Sequence, residues 1–239
     1  MSKFLRDLGQ LRNLVRVIGN SWIRSTAPKD TPDAYHRWYY EKQVQTRVRY
    51  FGHETLKSVS DLWNYQEIIF GLKPSLIVEL GTYMGGSALY FSHLLKNMGG
   101  HTHILTVDIS RDAVASEVLQ NPDIEFMEAS SCSDVVAQRI QALRKEFSGP
   151  MFIILDSDHS KKHVLVEMIM LRALTRTGDY LIVEDSNING HPVFPGCGPG
   201  PYEAIEEYEK TYPGDYRRDE ERENKFGFTF AVRGFLIRN

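Results

Sequence analysis

The stretch from Leu76 to Gly86, Leu-Ile-Val-Glu-Leu-Gly-Thr-Tyr-Met-Gly-Gly, decides the fold of this chain. Its first five residues are long enough for one buried strand, at whose end Glu79 lies. Gly81 opens a turn, and Gly85-Gly86-Ser87 leads into a helical pattern. A strand that runs through a glycine turn into a helix places backbone N–H groups beside a ligand. The spacing is not the G-x-G-x-x-G of dinucleotide sites, so we predict a cofactor without a pyrophosphate.

This segment resembles motif I of the class I S-adenosylmethionine (SAM) methyltransferases, in which an acidic residue ends the strand and a glycine turn follows. The resemblance implies that SAM is the cofactor and that residues around the turn bind it. The alternative is a plain strand-to-helix turn in some other α/β protein. The predicted cofactor-binding residues of this segment are Glu79, Gly81, Thr82, Gly85 and Ser87.

The composition limits the classes of protein to consider. A chain of 239 residues fits one large α/β domain with an N-terminal extension. The net charge of -3 gives no general attraction to nucleic acid. Two cysteines cannot form a disulfide framework and suit a reducing cytoplasm. We find no run of 18 apolar residues and no secretory signal, so we expect a cytoplasmic protein without a transmembrane segment.

Residues 3–24 predict an amphipathic helix, because apolar side chains recur at steps of three and four. Its charged side chains are basic apart from that of Asp7. One hypothesis is that this helix packs on a neighbouring subunit or on its own domain. The other is that it lies on an anionic membrane surface. Proline and small residues over 25–32 predict a linker, which divides the chain into an extension (1–32) and a methyltransferase domain (33–239).

The residues between 33 and 70 mix aromatic and polar side chains. This segment either packs as an aromatic-rich layer or forms a wall of the substrate pocket, since aromatic faces suit the apolar faces of sugar rings. Its most conspicuous side chains are Tyr35, His36, Trp38, Tyr39, Tyr40, Trp63, Asn64, Tyr65 and Gln66.

Strands and helices alternate regularly after the glycine turn, which predicts a doubly wound, mostly parallel α/β sheet of seven strands. We expect a terminal hairpin of strands 226–232 and 234–237 to complete it. We predict that the proline- and glycine-rich loop 191–201 covers the substrate, and that the polar run 215–225 is a second loop. The other predicted strands are 76–80, 103–107, 124–127, 151–155 and 180–183, and the predicted helices are 63–70, 87–98, 133–147, 161–174 and 202–212.

Asp108 ends the second of these strands, 27 positions after Gly81. A carboxylate at that strand tip can accept hydrogen bonds from both ribose hydroxyls of an adenosine. It can also cap the next helix. Ser130 and Ser131 follow the third strand, where class I methyltransferases usually contact adenine, so the resemblance implies cofactor contacts there.

Carboxylates end the fourth and fifth strands, where Asp156 follows one strand and Glu184 and Asp185 follow the other. Neighbouring parallel strands bring their carboxyl ends together, and carboxylates packed there without a cation would repel one another. Neither motif contains Lys or Arg. We therefore predict a divalent cation on these three residues, with oxygen ligands favouring Mg²⁺. The alternative is a set of solvated carboxylates that cap helices, which is the role we expect for Asp158.

His159 lies three positions after Asp156, on the rim of the same predicted site. A lone histidine is commonly a surface or capping residue. Beside a cation and a methyl donor, however, it suits the removal of a proton from a hydroxyl. The predicted catalytic residues are therefore His159 and Asp156.

Five long runs of this sequence resemble the bacterial rhamnosyl O-methyltransferases of phenolic glycolipids, in the cephalosporin hydroxylase-like family of SAM methyltransferases. The resemblance covers roughly residues 33–239. It implies Mg²⁺ on Asp156, Glu184 and Asp185, a base at His159, and a homo-oligomer. The runs are 35–40, 57–66, 155–160, 183–192 and 221–227.

These observations predict a Mg²⁺-dependent SAM O-methyltransferase that acts on a deoxysugar hydroxyl of a glycolipid or other glycoconjugate. Two other hypotheses stay open. A catechol-type methyltransferase would use a divalent cation in the same way, but to bind a planar diol. A SAM-binding scaffold without turnover would keep the fold alone.

Overall fold

The computed structural model describes residues 28–99 and 102–239. The predicted helix over 3–24 lies outside these residues, so its two proposed roles and the division of the chain at residue 32 stay predictions. Helix α1, Thr31–Glu41, begins inside the segment that we predicted as a linker. The description below concerns the compact unit Asp33–Asn239.

A seven-stranded sheet forms the centre of this unit, in the spatial order β5-β4-β3-β6-β7-β9-β8. Its first five strands are parallel, and β9 is antiparallel to both of its neighbours. The chain winds outward from β3 in one direction and then from β6 in the other, so a crevice opens at the carboxyl ends of these two strands. The strands are β3 Leu76–Leu80, β4 His103–Asp108, β5 Ile124–Glu128, β6 Met151–Leu155, β7 Tyr180–Val183, β8 Tyr216–Arg218 and β9 Phe235–Arg238.

Helices cover both faces of the sheet, because its central strands are apolar on both sides. Leu76, Val78 and Leu80 face one hydrophobic core, and Ile77 faces the other. Helices α5, α6 and α7 pack in the first core, and α2, α3 and α4 in the second. No helix among the described residues is long and apolar enough to cross a membrane. The helices after α1 are α2 Val59–Leu72, α3 Gly86–Asn97, α4 Ser116–Leu119, α5 Asp134–Glu146, α6 Lys161–Arg172, α7 Pro201–Thr211 and α8 Glu220–Asn224.

The sequence-based prediction of the sheet is confirmed except at its end. The predicted strand 226–232 is wrong, because β9 pairs with Tyr216–Arg218, inside the run that we predicted as a loop. The backbone of Phe230 instead bonds to groups outside the sheet: its N–H donates to Asp61 Oδ2, and its carbonyl accepts from the N–H of Asn187. A short separate hairpin, β1 Arg49–Tyr50 and β2 His53–Glu54, was not predicted.

Candidate functional site

The carboxyl ends of β3, β6 and β7 meet at the crevice, as the sequence predicted. The N–H of Asp156 donates to the carbonyl of Leu80 at 2.7 Å, and the N–H of Glu184 donates to that of Leu155 at 3.0 Å. These two bonds extend the pairing of the strands by one residue at each end. They bring the acidic residues after β6 and β7 beside the glycine turn after β3.

Lys57 supplies a cation that sequence reasoning missed. Its side chain is only 2% exposed, and its Nζ bonds to Asp156 Oδ2 and lies 3.2 Å from Glu184 Oε1. Burial alone would lower the pKa of Lys57, but Asp156, Glu184 and Glu79 together hold that pKa above its ordinary value. The predicted cluster of unneutralised carboxylates is therefore partly neutralised by a lysine just before α2.

The structure places Glu184 in a buried position, and its role as a cation ligand stays a prediction. Its side chain is 2% exposed, and its Oε1 accepts a 2.5 Å hydrogen bond from the hydroxyl of Tyr65 as well as facing Lys57. Burial raises the pKa of Glu184 to about 8, with Asp156 adding repulsion and Lys57 opposing both. Glu184 thus joins an inner network with Lys57 and Tyr65, and an outer group of ligand atoms lies at the crevice.

Asp156, His159 and Asp185 form that outer group, in which one potential ligand atom from each residue lies within 4.8 Å of the others. The Nε2 of His159 is 3.0 Å from Asp185 Oδ2. Burial raises the pKa of Asp185, and His159 opposes the shift. Asp185 has a φ of 51°, a left-handed conformation that is costly for a residue with a Cβ and is concentrated at functional sites.

The donor set of this outer group fits a divalent cation. Two carboxylates are the hard oxygen ligands that Mg²⁺ prefers, whereas an imidazole suits softer metals. Asp156 and Asp185 are therefore the fitting ligands. The role of His159 as a base stays a prediction.

The backbone that follows β6 packs closely against the glycine turn. Gly81 has a φ of 107°, and a Cβ there would overlap the carbonyl oxygen of Asp156. Its N–H donates to the carbonyl of Val107, and Asp108 Oδ2 accepts from the N–H groups of Thr82 and Tyr83. The N–H groups of these three residues are therefore bonded within the protein, contrary to our expectation that the turn presents them to a ligand.

Two features beside the turn do lack partners. Glu79 is fully buried, and among the residues that the structure describes its Oε1 has no hydrogen-bond partner, while its Oε2 accepts from the Thr106 hydroxyl at 2.8 Å. Helix α3 begins after Gly85 without a side-chain cap, and Ser87 is buried in its first turn. An orphaned carboxylate oxygen and an uncapped helix N-terminus suit the ammonium and carboxylate of an amino acid.

The three residues predicted to contact adenosine lie in different environments. The capping role considered for Asp108 is wrong, because the next helix begins only at Ser116 and Asp108 instead accepts from the glycine turn. Ser130 is exposed. Ser131 is buried, with its hydroxyl 2.8 Å from His163 Nε2. The assignment of these three residues to the adenosine stays a prediction.

The aromatic segment mainly packs. The rings of His36, Tyr39 and Tyr40 pack against Phe228 and Phe230, in place of the predicted strand there. Trp38 and Trp63 differ, since 45% and 59% of their surfaces are exposed. The packing interpretation thus holds for the buried rings, and the pocket-wall interpretation remains open for the two tryptophans.

The proline-rich loop 191–201 is anchored beside His159. The carbonyl of Pro199 accepts from the N–H of Lys161 at 3.0 Å, and the ring of His191 stacks on Tyr202 with centroids 3.6 Å apart. Its exposed Cys197 is free. The second predicted loop, 215–225, is instead mostly β8 and α8.

Known proteins are similar to this chain over most of its length. The profile of the family described as Rhamnosyl O-methyltransferase/CmcI matches residues 42–239. A rhamnosyl O-methyltransferase of Mycobacterium tuberculosis is 53% identical over 234 residues, covering 97% of this chain and 96% of the relative. One of Mycobacterium leprae is 52% identical over 206 residues, covering 86% and 90%.

A solved structure also shares the fold. The cmcI protein in its Mg-SAM form has a TM-score of 0.66 at 21% identity, covering 81% of this chain and 77% of that one. This likeness confirms the class I SAM methyltransferase fold. Together with the family match, it shows that the chain belongs to the rhamnosyl O-methyltransferase/CmcI family and is a SAM-dependent O-methyltransferase.

Proposed function

We propose that this enzyme methylates a hydroxyl of a rhamnose-like deoxysugar on a glycolipid or other glycoconjugate, with SAM and Mg²⁺ as cofactors. The observation that carries the proposal is the convergence of His159, Asp156 and Asp185 beside the glycine turn. The names of the mycobacterial relatives, which cover nearly all of the chain, support a rhamnosyl acceptor.

Asp156 and Asp185 would hold the cation, with Glu184 bonded to Lys57 and Tyr65 behind them. A bound Mg²⁺ supplies a Lewis acid that lowers the pKa of a nearby hydroxyl and fixes its oxygen. Through the cation, Asp156 and Asp185 would orient the acceptor. The side chains of His159 and Asp185 are partly exposed, which leaves space for the acceptor.

His159 takes the proton of the acceptor hydroxyl. Its Nε2 faces Asp185 at 3.0 Å and would carry the hydrogen of the neutral ring, so Nδ1 would accept the proton, and that carboxylate stabilises the imidazolium formed when the proton arrives. As the acceptor oxygen bonds to the methyl carbon, the carbon–sulfur bond of SAM breaks and S-adenosylhomocysteine (SAH) leaves. Because His159 is partly exposed, its proton passes to solvent. Positioning supplies much of the remaining rate enhancement.

The other side of the crevice would bind the cofactor. Glu79 Oε1 can accept from the ammonium of the methionyl group, and the uncapped start of α3 can bind its carboxylate. Asp108 retains lone pairs for ribose, since a carboxylate accepts about four hydrogen bonds. Thr82, Gly81 and Gly85 shape the turn between these groups.

The proposal is tested with acceptors that separate its parts. Purified enzyme is incubated with SAM, Mg²⁺ and either a lipid-linked rhamnoside, a free alkyl rhamnoside or a catechol, and mass spectrometry measures the methylated product. We expect transfer to rhamnosides and little to catechol. Transfer to catechol alone would support the catechol hypothesis, and transfer to neither rhamnoside would refute the proposed acceptor. Homo-oligomer formation and membrane contact stay separate predictions.

A further inference from the structure

Lys57 is the one residue of the described inner network that contacts two strand ends at once. Its Nζ bonds to Asp156 after β6 and faces Glu184 after β7, and both Lys57 and Glu184 are about 2% exposed. A buried ammonium needs such partners, because an unpaired charge there would be strongly disfavoured. The contact therefore fixes both carboxylates relative to each other.

The bond from Lys57 uses only one oxygen of Asp156. Oδ2 faces the ammonium, and among the described residues Oδ1 has no hydrogen-bond partner. The side chain of Asp156 is 24% exposed, so it lies between the buried lysine and the crevice where Asp185 and His159 are. The lysine therefore holds Asp156 by Oδ2, and Oδ1 is left available to a ligand in the crevice.

Two physical effects of Lys57 on a cation oppose each other. Its positive charge repels the ion, so Coulomb's law alone predicts that removing Lys57 tightens cation binding. Its hydrogen bond orients a ligand, and loss of such an outer contact typically weakens metal binding or activity by about 10–100-fold. The lysine end of this bond is buried, so we expect orientation to outweigh repulsion.

We propose that Lys57 is a positioning residue that holds Asp156 in the orientation that binds the divalent cation. This inference rests on the proposed function for the cation itself, but it does not depend on the identity of the acceptor. It assigns a role to a side chain outside the acidic motifs and close to the N-terminus of α2.

The test measures cation binding directly. Mn²⁺ is titrated into full-length wild type and Lys57→Met, and electron paramagnetic resonance of free Mn²⁺ gives the dissociation constant. Calorimetry gives the SAH dissociation constant of the same samples, and circular dichroism monitors the fold. Lys96→Met, the same change at an exposed lysine of α3, is the matched control.

We expect the Mn²⁺ dissociation constant of Lys57→Met to rise about 10–100-fold while that of SAH changes little. Unchanged or tighter Mn²⁺ binding would overturn the proposal, and so would an equal loss of both affinities, which indicates general disruption. If Lys57→Met does not fold, Lys57→Gln, which keeps a shorter polar side chain, is held to the same criteria. Failure of wild type to bind Mn²⁺ would instead refute the cation in the proposed function.

Discussion

The Nε2 atom of His159 lies 3.0 Å from Oδ2 of Asp185, although the two residues follow different strands. The contact links the proposed base to a proposed cation ligand. A proton taken up by His159 would therefore be stabilised by a carboxylate that also helps to hold the acceptor. This arrangement couples binding to chemistry, and single substitutions at the two positions can test each role.

Replacing His159 with Gln should reduce kcat by roughly 10²–10⁴-fold, the usual contribution of a general base. Glutamine can still bond to Asp185 but cannot take the proton. The SAH dissociation constant, measured by calorimetry, should stay near that of wild type. A variant with near-normal kcat would refute the assignment of His159 as the base.

Asp185→Asn should weaken Mn²⁺ binding and lower activity, because the amide removes a negative ligand from the outer group. The matched control is Asp158→Asn, since Asp158 lies outside that group and its Oδ1 accepts from the N–H of Ser160, which an amide oxygen can also do. EDTA should abolish activity in wild type, and added Mg²⁺ should restore it. Equal losses in the two variants would contradict a specific role for Asp185.

Much of the fold was predictable from local patterns. The strands Leu76–Leu80 and Met151–Leu155 are short apolar runs bounded by turn residues, and both were predicted at their observed bounds. The last hairpin was not predictable in this way. Phe228 and Phe230 alternate like strand residues, but they pack with the rings of α1, a contact distant in sequence.

The site was predictable only where its residues follow strands. Topology brings Asp156, Glu184 and Asp185 together once the sheet order is known. Lys57 carries no such signal, because it lies 99 positions before Asp156 and outside any strand. Its role depends on how α2 packs against the sheet. The pairing of Lys57 with Glu184 was therefore not predictable, and the assignment of Glu184 to the cation stays a prediction.

His36 should make the fold less stable in mild acid. Burial, with a smaller effect of Arg37, lowers the pKa of His36 from 6.5 to about 4, and a neutral ring accepts from Asn187 at 2.8 Å. Between these two pKa values the unfolded chain binds more protons than the folded chain. The stability from neutral His36 is therefore complete above pH 6.5 and is lost as the pH falls from 6.5 to 4. The full effect is about 3 kcal/mol.

The measurement is urea unfolding of wild type and His36→Gln from pH 7 to pH 4. Glu79 and Glu184, whose pKa values are raised, contribute with the opposite sign, so only the difference between the two proteins isolates His36. We expect the advantage of wild type to shrink as the pH falls. A difference that does not vary with pH would refute the prediction.

Gly81→Ala should destabilise the fold more than its backbone conformation alone explains. Gly81 and Gly52 both have positive φ, 107° and 91°, but only at Gly81 would a Cβ meet the backbone of Asp156. A left-handed alanine costs about 1–2 kcal/mol, and overpacking typically adds about 1–3 kcal/mol. Gly52→Ala, at the exposed tip of the β1–β2 hairpin, should show the first cost alone.

Urea unfolding of both variants measures the difference, and equal losses would mean that the close approach of β3 and β6 is not what requires glycine. Because the clash falls on Asp156, a folded Gly81→Ala protein should also bind Mn²⁺ more weakly than Gly52→Ala.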